Sequence, residues 1–187
     1  MCSLIIPTAD HLMSYVSALE RGWSPDNLNV HAGRDQLLRI QLDPDGFVAS
    51  FIDREARGGP VVLPDGTAMP RLPGIRLWIW DGEFCGSIGF RWQPGTEELP
   101  PHVLGHIGYA VVPWKQGKGI ATKALKSILP YARAEGLRWV DLTTDPENIA
   151  SQRTILKNGG VLLREFVRPR FYGQSNALLF RISLLST

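Results

Sequence analysis

The first third of the chain has the hydrophobic pattern of helices followed by a loop. Between residues 10 and 21 apolar side chains recur at helical spacing, which predicts a first helix. Two further helices are predicted between residues 33 and 55, separated near Pro44, whose ring suits the first turn of a helix. Residues 57–73 are rich in glycine and proline and predict a loop.

The rest of the chain has the pattern of strands that alternate with helices. Two β-rich runs with a short glycine-containing connection, residues 75–80 and 84–92, predict a hairpin. The elements predicted after it are a strand at 103–112, a helix at 119–135, a strand at 139–144, a helix at 148–157 and strands at 161–168 and 177–185. This order predicts an α+β fold, in which a mixed sheet is flanked by helices.

Length and composition favour one domain. A chain of 187 residues lies in the range of single domains, so residues 1–187 are interpreted as one domain with an N-terminal part, 1–74, and a core, 75–187. Hydrophobic residues make up 44% of the chain, and no apolar run approaches the ~20 residues that a membrane-spanning helix needs. We therefore expect no association with a membrane.

Charge and cysteine content argue against several classes of function. The 20 basic and 18 acidic residues give a net charge of +2, and the basic residues are scattered, which argues against a nucleic-acid partner. Cys2 and Cys85 are far apart and lack the spacing of zinc ligands or of a disulfide framework, so no metal is expected. Together with an N-terminus that lacks the pattern of a secretory signal, they favour the cytoplasm.

The segment from His106 to Thr122 combines a strand, a turn and the start of a helix. Gly117 and Gly119 leave room for a ligand beside the main chain, and the first N–H groups of the helix have no partner within it. With the helix dipole they form an anion site, which Gln116 and Lys118 extend. The alternative is a tightly packed turn without a ligand. The Walker and dinucleotide-binding patterns both fail here.

Two landmarks in this region resemble the GNAT superfamily of acetyltransferases. The sequence Gln-x-x-Gly-x-Ala at 116–121 resembles the pyrophosphate loop of that family. Asn148, Ser151 and Gly159 match a second landmark, a helix that begins at Asn, has Ala or Ser three positions later and ends at Gly. The resemblance covers residues 75–185 and extends to a bacterial subgroup of predicted acetyltransferases.

The resemblance implies an acetyl-CoA-dependent N-acetyltransferase with a GNAT-like fold, a central and mostly antiparallel mixed sheet flanked by helices. The acceptor, a small-molecule or peptide amine, would attack the thioester directly in a ternary complex, without a metal. A main-chain N–H of Ala110 or Val111 would stabilise the oxyanion. The residues expected to bind acetyl-CoA are Ala110, Val111, Val112, Gln116, Gly117, Lys118, Gly119, Ile120, Ala121, Thr122, Asn148 and Ser151.

Two residues depart from the family pattern. Many relatives have a Tyr seven residues after the Asn that protonates the leaving thiolate, and Ile155 occupies that position here. Gly160 replaces a common aromatic residue after Gly159. Ser151 or a water could donate the proton instead, or the thiolate could leave unprotonated. The missing Tyr also keeps a second class of function open, an acetyl-CoA-binding module without efficient turnover.

His106 is the candidate general base. Strand alternation puts it on the same face as Gly108 and Ala110, and relatives often carry a base on this strand a few residues before the oxyanion N–H. An imidazole is available as a base at neutral pH. The alternative is a hydrogen-bonded histidine without a catalytic role.

The sequence does not identify the acceptor amine. Trp78, Trp80 and Trp92 are either core residues or walls of an acceptor pocket. The apolar C-terminal run from Ala177 to Phe180 is a candidate for pairing with a second subunit in a homodimer.

Overall fold

The protein is described here by a computed structural model that covers residues 2–26 and 31–185. Its helices are α1 (Leu12–Glu20), α2 (Ala32–Leu42), α3 (Pro44–Ala49), α4 (Ile120–Ala134) and α5 (Ile149–Leu156). Its strands are β1 (Ser3–Ile5), β2 (Ile52–Asp53), β3 (Val61–Val62), β4 (Ala68–Met69), β5 (Gly74–Trp80), β6 (Phe84–Arg91), β7 (Ile107–Val111), β8 (Trp139–Thr144), β9 (Gly160–Val167) and β10 (Asn176–Ser183).

The strands form two principal sheets rather than one. The larger has the order β1-β5-β6-β7, with β2 also paired to β5, and the smaller has the order β8-β10-β9. Strands β3 and β4 form a separate small hairpin within the predicted loop. All strand pairings of the described residues are antiparallel. The predicted central sheet is therefore divided between β7 and β8.

Helices cover both faces of the larger sheet, because its strands alternate two sets of apolar side chains. One set packs against the apolar stripe of α4 and also includes residues of the smaller sheet. The other set packs against α1, α2 and α3 around the aromatic ring of Tyr15, which stacks on Trp78 at 4.4 Å between ring centroids. Trp78 and Trp92 are buried and Trp80 is half-buried, so these tryptophans serve mainly as core residues.

Most predicted elements are present, and the main difference in extent is at β7. The strand predicted over 103–112 begins only at Ile107, because the residues before it turn towards β8. The second of the two helices near Pro44 ends at Ala49, and the chain then enters β2. Helix α4 continues through Pro130, which lies on its exposed side.

The C-terminal strand β10 lies at the centre of the smaller sheet. It pairs with β8 along one edge and with β9 along the other. The main-chain groups from Ala177 to Phe180 are thus already paired within the chain, so this segment offers no free strand edge to a second subunit, and a homodimer through another surface stays a prediction.

No helix in the described part of the chain has the length and apolar character required to cross a membrane.

Candidate active site

Strands β7 and β8 are joined only near the start of β7 and then belong to different sheets. His106 N–H donates to Asp141 O at 2.7 Å, and Asp141 N–H donates to His106 Nδ1 at 2.9 Å. Thr143 Oγ1 donates a further hydrogen bond to Leu104 O. A Cβ at Gly105 would lie 3.0 Å from Asp141 O, so the two segments approach closely here. The remainder of β7 leaves one strand edge facing a split between the sheets.

The hydrogen-bond register determines which groups of β7 face this split. Arg91 N–H donates to His106 O at one end of the strand, and Val112 N–H donates to Cys85 O at the other, both at 2.9 Å. In an antiparallel pair, alternate residues direct their main-chain groups towards the partner strand. Gly108 and Ala110 therefore also pair with β6. The residues whose N–H and C=O groups face the split are Ile107, Tyr109 and Val111.

The turn after β7 forms an open cradle at the start of α4. Gly117 and Gly119 have φ angles of +76° and +72°, which are strained for residues with a Cβ. A Cβ at either position would meet no protein atom within 4 Å. No side chain caps this end of α4, and its first turn contains no acidic residue. The first N–H groups and the positive end of the helix dipole remain able to bind an anion.

Side chains next to the cradle differ in their burial and in their contacts within the protein. Gln116 Nε2 donates to Val111 O at 3.1 Å, so it braces the turn against the end of β7. Lys118 is exposed, whereas Val112 is fully buried and supports the strand from within the core. Ile120 is buried, while Ala121 and Thr122 are half-buried at the start of α4. Asn158 Nδ2 donates to Thr122 O at 3.2 Å and thereby ties α4 to the end of α5.

Lys115 anchors the cradle and was not identified from the sequence. Its Nζ lies 2.7 Å from both Asp81 Oδ1 and Glu83 Oε1, in the turn of the β5–β6 hairpin. Burial lowers the pKa of Lys115, and hydrogen bonds to the two carboxylates outweigh that effect and raise it above its usual value. Nothing local in the sequence indicates this role, because the burial of Lys115 and its contact with Asp81, 34 residues away, depend on the fold.

Two hydroxyl groups meet across the split, one on the second landmark helix, α5, and the other on β7. Asn148 Oδ1 accepts the N–H of Ser151 at 3.0 Å and caps α5. Ser151 Oγ lies 2.9 Å from the hydroxyl of Tyr109 on β7, which also contacts Ser151 O at 3.3 Å. Burial raises the pKa of Tyr109, which therefore keeps its proton at neutral pH. Tyr109 was missed because nothing local in the sequence indicates its partner, 42 residues away.

The two departures from the family pattern pack against each other. Ile155 is 1% exposed and belongs to the core. A Cβ at Gly160 would lie 2.3 Å from Ile155 Cγ2 and 2.9 Å from Ile155 O. The side chain and the main chain of Ile155 therefore both require glycine at 160, and the side chain packs in the core.

His106 is completely buried at the junction of the two sheets. Because Nδ1 accepts the Asp141 N–H, a neutral His106 carries its proton on Nε2, which has no partner among the described residues. Burial lowers the pKa of His106 to about 4. The ring is thus neutral at pH 7. The lone pair on Nδ1, which could accept a proton, already accepts the N–H of Asp141.

Comparison with solved structures shows which fold this is. The Microcin C7 self immunity acetyltransferase MccE has a TM-score of 0.63 at 14% identity, with 97% of this chain and 92% of that chain covered. A GNAT-family acetyltransferase from Streptococcus pneumoniae gives 0.61 at 15%, covering 98% and 99%. The ribosomal L7/L12 alpha-N-protein acetyltransferase RimL gives 0.60 at 15%, covering 97% and 93%. The predicted GNAT fold is confirmed.

A sequence comparison with curated proteins finds no match. The family model described as an acetyltransferase (GNAT) domain, however, matches residues 67–161, just over half of the chain. This confirms the prediction of an acetyl-CoA-dependent acyltransferase. The matched span contains β7, the cradle, α4 and α5. The chain therefore belongs to the acetyltransferase (GNAT) domain family.

Proposed function

We propose that the protein transfers the acetyl group of acetyl-CoA to an amine by direct attack in a ternary complex at the split between β7 and β8. The observation that carries this proposal is the continuity of the unpaired edge of β7 with the open cradle of Gly117 and Gly119. One short segment thus offers N–H groups for an acyl oxygen and, at its other end, an anion site for the diphosphate.

Val111 is the preferred oxyanion donor of the two residues considered from the sequence. The N–H of Ala110 points towards β6, whereas that of Val111 points towards the split. As the amine nitrogen attacks, the thioester carbonyl gains negative charge, and a preorganised N–H stabilises it. The C–S bond then breaks and releases the thiolate of CoA.

The cofactor is assigned to the main chain of residues 116–122, with Ala110 and Val111 beside its acyl end. The diphosphate lies against the N–H groups that follow Gly117 and Gly119. Asn148 uses Oδ1 as a helix cap, which leaves Nδ2 without a partner among the described residues. This amide N–H can donate to the cofactor arm without loss of the cap.

Ser151 is assigned as the proton donor to the leaving thiolate. It lies on the far side of the split from Val111, and Tyr109 holds its hydroxyl in place. When the Tyr109 O–H points to Ser151, the Ser151 O–H can pass its proton to sulfur while Ser151 Oγ takes the proton of Tyr109, and solvent then reprotonates Tyr109. The pair would take over the role of the absent tyrosine at position 155. The proton of the acceptor ammonium must leave separately, to His106 or to water.

The test is amine-dependent thiol release from acetyl-CoA over a panel of amines, with the acetylated product identified by mass. We expect turnover with at least one class of amine and little thiol release without an acceptor. A protein that binds acetyl-CoA but acetylates no amine in the panel would favour the binding-module alternative.

A further inference from the structure

Two arginines of the larger sheet lie over a floor of glycine on the face that carries His106 and Ala110. Gly89 and Gly108 are directly opposite each other in the β6–β7 pairing. Arg76 Nε lies 3.7 Å from the position that a Cβ of Gly89 would take, and Arg91 Nη2 lies 3.5 Å from that of Gly108. Since opposite Cβ positions are only about 5 Å apart, the two guanidinium groups are close neighbours.

The two guanidinium groups lie near each other without an ion-pair partner among the described residues. The ion pairs of the described residues involve neither Arg76 nor Arg91, and Asn27–Val30 contain no carboxylate. Crowding by surrounding atoms and the charge of Arg76 lower the pKa of Arg91, although Arg91 is exposed to solvent. The charge of Asp26 acts in the opposite direction on Arg91, more weakly than Arg76. An arginine pair of this kind is stabilised by an anion that both can reach.

The pair lies beside the proposed site of transfer. Gly108 precedes Val111 by three residues, which corresponds to about 10 Å along a strand. Gly108 is exposed, and Gly89 is half-buried, so the floor between the arginines is accessible. Tyr109 and the apolar residues that pack on α4 lie on the opposite face. An acceptor can therefore contact the arginines while its amine approaches the acyl carbonyl.

We propose that Arg76 and Arg91 bind an anionic group of the acceptor, so that the substrate is an amine that also carries a carboxylate or a phosphate. This inference rests on the proposed function. The distance from Gly108 to Val111 further requires that several bonds separate the amine from the anion. A planar guanidinium pair suits both anions, because each offers two oxygens to parallel N–H groups.

The test compares amines in matched pairs that differ only in the anion. Linear ω-amino acids of increasing length are paired with their carboxamides, and ω-aminoalkyl phosphates with the corresponding amino alcohols. We expect kcat/KM to favour the anionic member by roughly 10- to 100-fold, the worth of one charge-assisted hydrogen bond or more. The two series show whether carboxylate or phosphate is preferred, and equal kcat/KM within every pair would overturn the inference.

Variants identify the residues responsible. Arg91→Gln and Arg76→Gln should each reduce the preference towards unity and act mainly through KM of the anionic amines. Arg164→Gln, a change at an exposed arginine on β9, should leave it unchanged. Because the arginines repel each other, neither of the first two changes should lower Tm. A preference that survives in both variants would contradict the assignment.

A binding measurement separates this inference from the proposed function. With CoA added to saturate the cradle, inorganic phosphate or acetate should raise the Tm of the wild type and raise it less in the double variant Arg76→Gln/Arg91→Gln. The Kd of acetyl-CoA should be the same in both proteins. If the anion raises the Tm of both proteins equally, the arginine site is refuted. If the wild type does not bind acetyl-CoA, the proposed function is refuted instead.

Discussion

At the scale of single residues, the structure changes the interpretation of His106 most. The sequence gives its identity and its position before β7, and both suit a general base. The structure adds that Nδ1 accepts the Asp141 N–H and that the ring is fully buried. This could not be predicted, because the partner lies 35 residues away and burial depends on how two sheets meet. The general-base role stays a prediction, and it requires that the hydrogen bond to Asp141 be broken.

The burial of His106 predicts a pH dependence of stability. Its pKa is lowered from 6.5 to about 4, so the unfolded state binds more protons between these values. Stability contributed by the neutral ring is therefore complete above pH 6.5 and is lost as pH falls towards 4, by on the order of 3 kcal/mol. Urea unfolding of the wild type and His106→Gln as a function of pH should show this difference in slope.

The same variant tests catalysis. General-base assistance is worth roughly 100- to 10,000-fold in rate, so a catalytic His106 requires a loss of that size with acetyl-CoA affinity preserved. The engaged lone pair leads us to expect a smaller loss, and an acidic limb of the pH–rate profile that is retained in His106→Gln. Disappearance of that limb would establish His106 as the base.

The hydroxyl pair of Tyr109 and Ser151 gives a third prediction at this scale. Ser151→Ala should reduce turnover by about 100-fold, near the lower limit for general-acid catalysis, because a thiolate is already a tolerable leaving group. Tyr109→Phe should cost about fivefold, the worth of one hydrogen bond of ~1 kcal/mol. Tyr131→Phe, on the exposed side of α4, is the matched control.

The leaving group distinguishes proton donation from a structural effect. An acetyl thioester of a more acidic thiol needs less protonation, so it should restore much of the rate of Ser151→Ala. If acetyl-CoA and the activated thioester lose rate equally, Ser151 is not the donor, and water or an unprotonated thiolate remains.

At the scale of elements, sequence patterns located most helices and strands. They did not show how the turn before α4 is attached to the larger sheet. The strand at 139–144 and the cap at Asn148 agree with the predictions, because local periodicity and cap chemistry determine both. The anchoring of the cradle by Lys115 depends on the distant turn at Asp81 and Glu83 and had no local signal. Local patterns thus predicted the cradle's shape, whereas its attachment to the sheet required the structure.

The cradle gives a prediction with an internal control. Gly119→Val places a branched side chain beside the N–H groups at the start of α4 and should weaken acetyl-CoA binding by at least tenfold. Gly136→Val lies just past the other end of α4, with φ of +81° and likewise no atom within 4 Å of a Cβ. The two changes therefore cause similar backbone strain.

Calorimetric titration with acetyl-CoA compares the two variants with the wild type. If both variants lose the same stability but only Gly119→Val loses affinity for acetyl-CoA, the cradle is assigned to the cofactor. Equal affinity in all three proteins would remove the cradle from the site.

At the scale of the whole molecule, the decisive feature is that the sheet is divided. Each strand near the division was predicted, yet its pattern says nothing about whether β7 and β8 pair. The separation is set by the turn of residues 103–106 onto β8 and by the Tyr109–Ser151 contact, both of which join distant parts of the chain. The division exposes the edge of β7, and without it the N–H groups of Tyr109 and Val111 would not be free for an acyl oxygen.

The division leads to a prediction that combines stability with local protection. Acetyl-CoA binds only the folded chain, so a concentration of 100 times Kd should stabilise it by about 2.7 kcal/mol and raise Tm. A ligand seated in the split should also slow amide hydrogen exchange at Tyr109 and Val111, whose N–H groups face it. Gly108 and Ala110 pair with β6 with or without ligand and serve as reference positions in the same strand. Exchange is measured under conditions where local opening dominates, so that the global rise in stability does not slow all four amides alike. Equal slowing at all four amides would place the ligand elsewhere, whereas selective slowing at alternate residues can arise only if acetyl-CoA occupies the open edge of β7.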